Sequence, residues 1–341
     1  MKILFGILSV LLTVALLVFF QVRFSRPGVG LLYKGGAVLV ALAILGIFLV
    51  KMIGPETEVV AIHHERLPEG HRLVVTLIRY YFNRQDPEPT LVRYSRTVAT
   101  AIDTANGGTA GRIKLEKGTR VAGHTPGTFW TWDPASSRLT GFDFSSLRER
   151  RHYDGLVASR PAFAIEADRA LSFTNQQGER VSLDPDHGQV RPTSEGAGRP
   201  RRPAEDALVD NLTWANGQVS FTPDSHEAWY QSGDQRRSLG KFPEGRFVAS
   251  PEDAPTDAPH SGTVFVVHRA ALTRSAAVQV TRVRLPSGER LWTASLAEDR
   301  QVIAAFVEPD AVVLVTTGEG NPVFVTALGA SDGAIRWRRN P

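Results

Sequence analysis

Three histidines, His63, His64 and His71, stand close together in the chain, and imidazole is the commonest protein ligand of divalent metal ions. As neighbours in a strand, His63 and His64 point to opposite faces, so the pair cannot easily chelate one ion, and no metal centre is expected. Asp224, His226 and Glu227 stand beside Trp229 and Tyr230 and bring an acid and a base together, as proton transfer requires. No spacing motif accompanies them, so they read as a polar loop. Asn106-Gly107-Gly108-Thr109-Ala110-Gly111 is rich in glycine but lacks the Lys-Ser/Thr of a phosphate loop. It reads as a turn. Two basic runs, Arg148-Glu149-Arg150-Arg151-His152 and Arg199-Pro200-Arg201-Arg202, have the charge to bind phosphate, nucleic acid or anionic lipid. Neither has the interleaved aromatics of a nucleic-acid surface, and both read as solvated turns. No catalytic, cofactor-binding or metal-binding residue is therefore expected.

The elements that would position these residues are announced by a six-residue phrase: an apolar residue, usually Asp, three variable residues, then usually Gly. It occurs as Ile102–Gly107, Phe142–Leu147, Leu183–Gly188, Val283–Gly288 and Leu328–Gly333. The copies begin 40, 41, 100 and 45 residues apart, so the long gap hides one degenerate copy, near Ala228 to Gly233. A period of about 40–50 residues marks a repeat architecture. The apolar residue ends an inward-packed strand, the Asp hydrogen-bonds the backbone ahead of it, and Gly supplies positive φ for a tight corner. Asp103, Asp143 and Asp184 with Gly107, Gly188, Gly288 and Gly333 are the repeat positions. In two copies a Trp follows four residues after the Gly, at Trp292 and Trp337. Runs rich in β-branched residues precede the corners, as at Val278–Arg282 and Val323–Ala327. Each unit is then about three or four short antiparallel strands, which cannot bury both faces alone and must pack on its neighbours. That is one propeller blade.

The stretches Thr281–Trp292 and Ala327–Trp337 resemble the quinoprotein-type (PQQ-repeat) β-propeller, whose pattern runs roughly Ala-Leu-Asp-x-x-Thr-Gly-x-x-x-Trp. The copies at 102 and 183 keep Asp and Gly without the Trp, and the copy at 142 loses the Gly. The resemblance implies an all-β propeller over residues 55–341, and at about 45 residues per unit this gives about six four-stranded blades. Two stretches rich in Pro, charge and small residues, about 191–206 and 250–261, are expected as exposed loops. Enzymes of the quinoprotein class have longer propellers, an ion-binding set of carboxylates and amides, and often a disulfide of neighbouring cysteines. This chain has no Cys. The repeat is therefore taken as architecture, with no cofactor, and the non-catalytic relatives imply a scaffold whose blade loops and groove bind other proteins. A small-molecule enzyme or a sensor using the propeller mouth is the alternative.

The N-terminal region has a different composition. Ile3–Phe20 is uncharged, and a second apolar run extends from Gly35 to Ile53 with only Lys51 within it, so helices about 3–22 and 35–53 are expected to form a transmembrane hairpin within residues 1–54. Arg23, Arg26 and Lys34 in the connection hold it in the cytoplasm by the positive-inside rule, against Lys2, Lys51 and Arg66 on the other side. The expected place is thus a bacterial inner membrane, with the propeller on the periplasmic side. The absence of Cys leans the same way. A formal net charge of +4 spread over 341 residues gives no case for nucleic acid.

Overall fold

The computed structural model describes residues 56–82, 93–166, 169–184, 188–193, 208–214, 217–222, 225–249, 262–273, 275–296, 300–318 and 322–341. The chain divides into two compact units, Met1–Pro55 with Tyr81–Tyr94, and Glu56–Tyr80 with Ser95–Pro341. The two apolar segments of the expected hairpin lie outside the described residues. So do Asp224, the run Arg199–Arg202, and most of the two expected loops. Among the described residues no helix is long and apolar enough to cross a membrane.

All described regular structure is β, in six antiparallel sheets built from successive stretches of chain. The first holds β1 (Glu56–Leu67), β2 (Gly70–Phe82), β3 (Arg93–Asp103) and β4 (Thr109–Leu115). The second holds β5 (Arg120–Thr125), β6 (Thr128–Asp133), β7 (Arg138–Asp143) and β8 (Glu149–Asp154), and the third β9 (Ala164–Ile165), β10 (Leu171–Thr174), β11 (Arg180–Leu183) and β12 (Val190–Pro192). After β13 (Leu208–Val209) come β14 (Asn211–Trp214), β15 (Gly217–Phe221), β16 (Glu227–Ser232) and β17 (Gln235–Lys241) of the fourth sheet. The fifth holds β18 (Arg246–Val248), β19 (Thr263–Arg269), β20 (Val278–Arg284) and β21 (Arg290–Ser295). The sixth holds β22 (Arg300–Val307), β23 (Ala311–Gly318), β24 (Val323–Gly329) and β25 (Ile335–Arg339). One sheet departs from four strands. β13 leaves its chain neighbours and pairs with β18, making the fifth sheet five-stranded, because Leu208 packs on the apolar cluster between the fifth and sixth sheets.

The first strands of successive sheets neighbour one another, β1 with β5, β5 with β9, β14 with β18 and β18 with β22, while the fourth strands are largely exposed. This is the arrangement of a β-propeller, with the first strands inside and the fourth at the rim. Apolar clusters fill the junctions of the first sheet with the second, the second with the third, the fourth with the fifth and the fifth with the sixth. Another joins the sixth to the first, uniting Leu73, Val75 and Ile102 with Phe306, Val313 and Trp337. The ring is therefore closed by side-chain packing between the two ends of the domain. Between the third and fourth sheets no such cluster forms among the described residues.

The repeated phrase is one backbone corner between the third and fourth strands of a sheet. In all five copies the second residue donates its N–H to the carbonyl four residues beyond its successor and accepts the N–H of the sixth residue, at 2.8–2.9 Å, as Asp103 does with Gly108 and Gly107. The sixth residue has positive φ throughout: Gly107 70°, Leu147 53°, Gly188 66°, Gly288 75° and Gly333 69°. At Asp103 and Asp143 the carboxylate also caps the turn, in the bonds from Ala105 N to Asp103 Oδ1 (2.9 Å) and Ser146 N to Asp143 Oδ1 (2.9 Å).

Each of these corners receives the fourth strand of the preceding sheet. Trp337 lies over Gly107, where a Cβ would come within 2.6 Å of the ring, and Trp292 lies over Gly333 at the same distance. Both indoles donate Nε1–H, at 3.0 Å, to the carbonyl of the third phrase residue, Thr104 and Ala330 respectively. Tyr153 and Arg151 cover Gly188, with Tyr153 donating its hydroxyl to the Gly188 carbonyl at 2.8 Å. The backbone at Ser238 and Leu239 covers Gly288. Between the first and second sheets the sizes are exchanged: Leu147 is buried at the corner, and Gly111 occupies the Trp position of the preceding strand. The degenerate copy ends at Gly233, in the turn between β16 and β17, where φ is 55° and no atom lies within 4 Å of a built Cβ. The sheet with the degenerate phrase is the one whose junction with the preceding sheet shows no apolar cluster among the described residues.

Candidate functional site

Strand alternation sends His63 and His64 of β1 into different junctions. His63 faces the second sheet, its Nδ1 3.1 Å from Nδ1 of His124 and its ring edge-on to Phe129. One imidazole must donate and the other accept. Burial pushes the His63 pKa down to about 4, and burial followed by the neighbouring His63 holds His124 well below the ordinary value. His64 faces the sixth sheet, stacked on Phe306 with ring centres 4.7 Å apart. The two rings face different junctions, as their alternation requires.

His71, near the start of β2, returns to the same side as His64, and Glu308, just beyond β22, meets both. His64 Nε2 stands 3.0 Å from Glu308 Oε1, and His71 Nδ1 stands 3.7 Å from the same oxygen. Thr104 Oγ1 donates to Glu308 Oε2 at 2.8 Å. Burial lowers the His71 pKa, an effect that Glu308 partly opposes. Glu308 escaped the sequence reading because its partners lie more than two hundred residues away. The one local signal is a carboxylate closing the apolar run Val302–Val307.

A concavity of about 790 Å³ lies between the fifth and sixth sheets. Leu208, Val267, Val278 and Val302 are its apolar lining residues, and Asp210, Glu244, Arg246, Arg269 and Gln301 its polar ones. Arg269 Nε pairs with Glu244 at 2.8 Å, and Arg246 Nε lies 3.8 Å from Asp210. His268 also lines the groove. Its Nδ1–H donates to the carbonyl of Arg269 at 2.9 Å, leaving Nε2 to accept from Thr281 Oγ1 at 2.8 Å.

The other sequence candidates are absorbed by the fold. Glu227 accepts from the Ser238 hydroxyl, His226 Nδ1 accepts from Glu244 N at 3.4 Å, and Trp229 lies under the Arg236 guanidinium, so each of these described side chains has a partner within the fold. In the first basic run, Arg150 pairs with Asp143 (3.4 Å), His152 pairs with Glu149 (2.9 Å) and Arg151 covers Gly188. Asn106 Oδ1 accepts the Gly108 N–H, which makes the glycine-rich loop a repeat corner.

No protein-family model matches the chain, and no curated protein matches it. Among solved structures, the chain is similar to BamB from Moraxella catarrhalis at 12% identity, over 84% of this chain and 91% of that one, with a TM-score of 0.27. It is similar to the isopeptidase AtxE2 at 11% identity, over 84% of this chain and 53% of that one, with a TM-score of 0.47. It is also similar to the C-terminal WD40 domain of Sif2 at 8% identity, over 84% and 87% of the two chains, with a TM-score of 0.32. At these identities and scores the propeller assignment stands on the six sheets of this chain alone.

Proposed function

We propose that this chain is a membrane-anchored, quinoprotein-like propeller that holds a protein partner in the groove between its fifth and sixth sheets. The observation that carries the reading is the groove's mixed lining, which sets the apolar side chains of Leu208, Val267, Val278 and Val302 beside the charged Asp210, Glu244, Arg246 and Arg269. Protein interfaces share this anatomy, with a desolvated apolar centre ringed by polar groups that set orientation. These charges are already paired with one another, Arg269 with Glu244 and Arg246 with Asp210, so a partner exchanges ion pairs and leaves no charge buried alone. Residues 1–54 act as the anchor, and the propeller works on the periplasmic face. A photo-crosslinking residue at Gln301 in native membranes is expected to give a discrete protein adduct, and one at rim-strand Arg237 none. Adducts from Arg237 with none from Gln301 overturn the assignment of the groove.

The groove volume supports a second reading. About 790 Å³ falls within the roughly 300–1,000 Å³ typical of small-molecule clefts. Native mass spectrometry of the purified full chain distinguishes the two, because a small-molecule site retains a low-mass species that the scaffold reading does not require.

A further inference from the structure

We propose that His64, His71 and Glu308 form a divalent-metal site, suited to zinc, set in the junction where the sixth sheet meets the first. The three ligand atoms lie within 4.8 Å of one another. Tetrahedral zinc, with bonds of about 2.0–2.1 Å, holds its ligand atoms about 3.3 Å apart. The distances from Glu308 Oε1 to His64 Nε2 and His71 Nδ1, 3.0 and 3.7 Å, bracket that value. Two imidazoles and one carboxylate are a zinc ligand set, leaving a fourth position for water.

The surroundings separate this cluster from a surface group of polar side chains. Glu308 and His64 are buried, and a carboxylate removed from water calls for a compensating positive charge. Thr104 Oγ1 holds Oε2 of Glu308 and so turns Oε1 towards both histidines, the outer-shell arrangement that orients a carboxylate ligand. His71 Nδ1 is buried without a hydrogen-bond partner, although it points at this carboxylate. A hydrogen-bonded lock would need only His64, Thr104 and Glu308, and leaves the position of His71 without a use. Its side chain, 14% exposed, leaves a route from solvent. β1, β2 and the end of β22 supply the ligands, so bound metal would pin together the two ends of the ring and bind the closed form alone.

The test uses the purified full chain in detergent, stripped with a chelator and titrated with Zn²⁺ in competition with a chromophoric chelator. One tight equivalent is expected, with a rise in unfolding temperature, and Co²⁺ in its place should give the intense visible absorption of a tetrahedral site. His71→Gln, which keeps the side chain's bulk at a partly accessible position, is expected to lower affinity at least tenfold, and Thr104→Val about 10–100-fold. His152→Gln, at an exposed histidine of β8, should change nothing. Absence of binding by the wild type, or binding whose affinity and cobalt spectrum survive His71→Gln, overturns the site. Because His71→Gln spares the buried partners, the result does not depend on whether Glu308→Gln folds.

Discussion

At the residue scale, His268 shows how burial sets a protonation state. Its ring is held between the Arg269 carbonyl and Thr281 Oγ1 and lies edge-on to Phe242, with Arg290 near enough to disfavour a second positive charge. The Arg269 side chain beside it is paired with Glu244. Burial is the main cause of a pKa below the ordinary histidine value, the bond to the carbonyl opposes it, and Arg290 adds to it. The folded pKa is depressed, so the unfolded chain takes up the proton first as pH falls. The contribution is present above about 6.5 and is lost as pH falls through the folded value. Denaturant midpoints of the full chain at pH 7.5 and 5.0 should therefore differ more for wild type than for His268→Gln. Equal differences would mean that His268 titrates alike in both states.

At the element scale, the outer strand of one sheet rests on the corner of the next, and size is complementary at each contact. Trp337→Ala removes a buried ring and its bond to Thr104, and should cost about 3–5 kcal/mol. Gly107→Ala sets a methyl group 2.6 Å from that ring at a φ of 70°, which adds steric conflict to a backbone strain of about 1–3 kcal/mol. Combined, the two should cost less than their sum, because removing the ring relieves the conflict and leaves only the strain. Additive denaturation energies would show that the ring and the glycine do not touch in solution. The exchange at Gly111 and Leu147 follows the same rule in reverse. A Cβ at Gly111 would lie 2.0 Å from the Ser146 carbonyl oxygen, so the corner that keeps a Leu needs a preceding strand without a side chain.

For the whole molecule, the ring is closed by contacts between residues far apart in sequence. Arg79 donates to the Pro341 carbonyl at 2.6 Å, Trp337 docks on Thr104 and Gly107, and Glu308 reaches His64. Among the described residues no strand is exchanged between the first and sixth sheets, so closure there rests on side-chain packing and hydrogen bonds. Under the proposed function, Arg23, Arg26 and Lys34 in the connection of the hairpin hold that connection in the cytoplasm and set the domain on the opposite face. An alkaline phosphatase joined through a flexible linker after Pro341 should be active, and a fluorescent protein that matures only in the cytoplasm should stay dark there. A bright fusion would place the domain in the cytoplasm and remove the periplasmic scaffold reading.

The corners were legible in the sequence because their chemistry is local. Asp caps a turn within three residues, Gly tolerates positive φ, and the phrase keeps its spacing in each sheet it serves. Trp292 and Trp337 stood out by the same periodicity, although which glycine each covers depends on neighbouring sheets. The opposite facing of His63 and His64 also followed from strand alternation alone. The remainder required the closed ring. Glu308 has no motif, and only closure carries it to His64 and His71. β13 is too short to declare a strand, and its place is fixed by Leu208 packing beside the fifth sheet. The groove joins Leu208, Arg246, Arg269 and Gln301 from separate stretches of chain. Local hydrogen bonding writes itself into adjacent residues, whereas burial and charge pairing across junctions are properties of the assembled sheets.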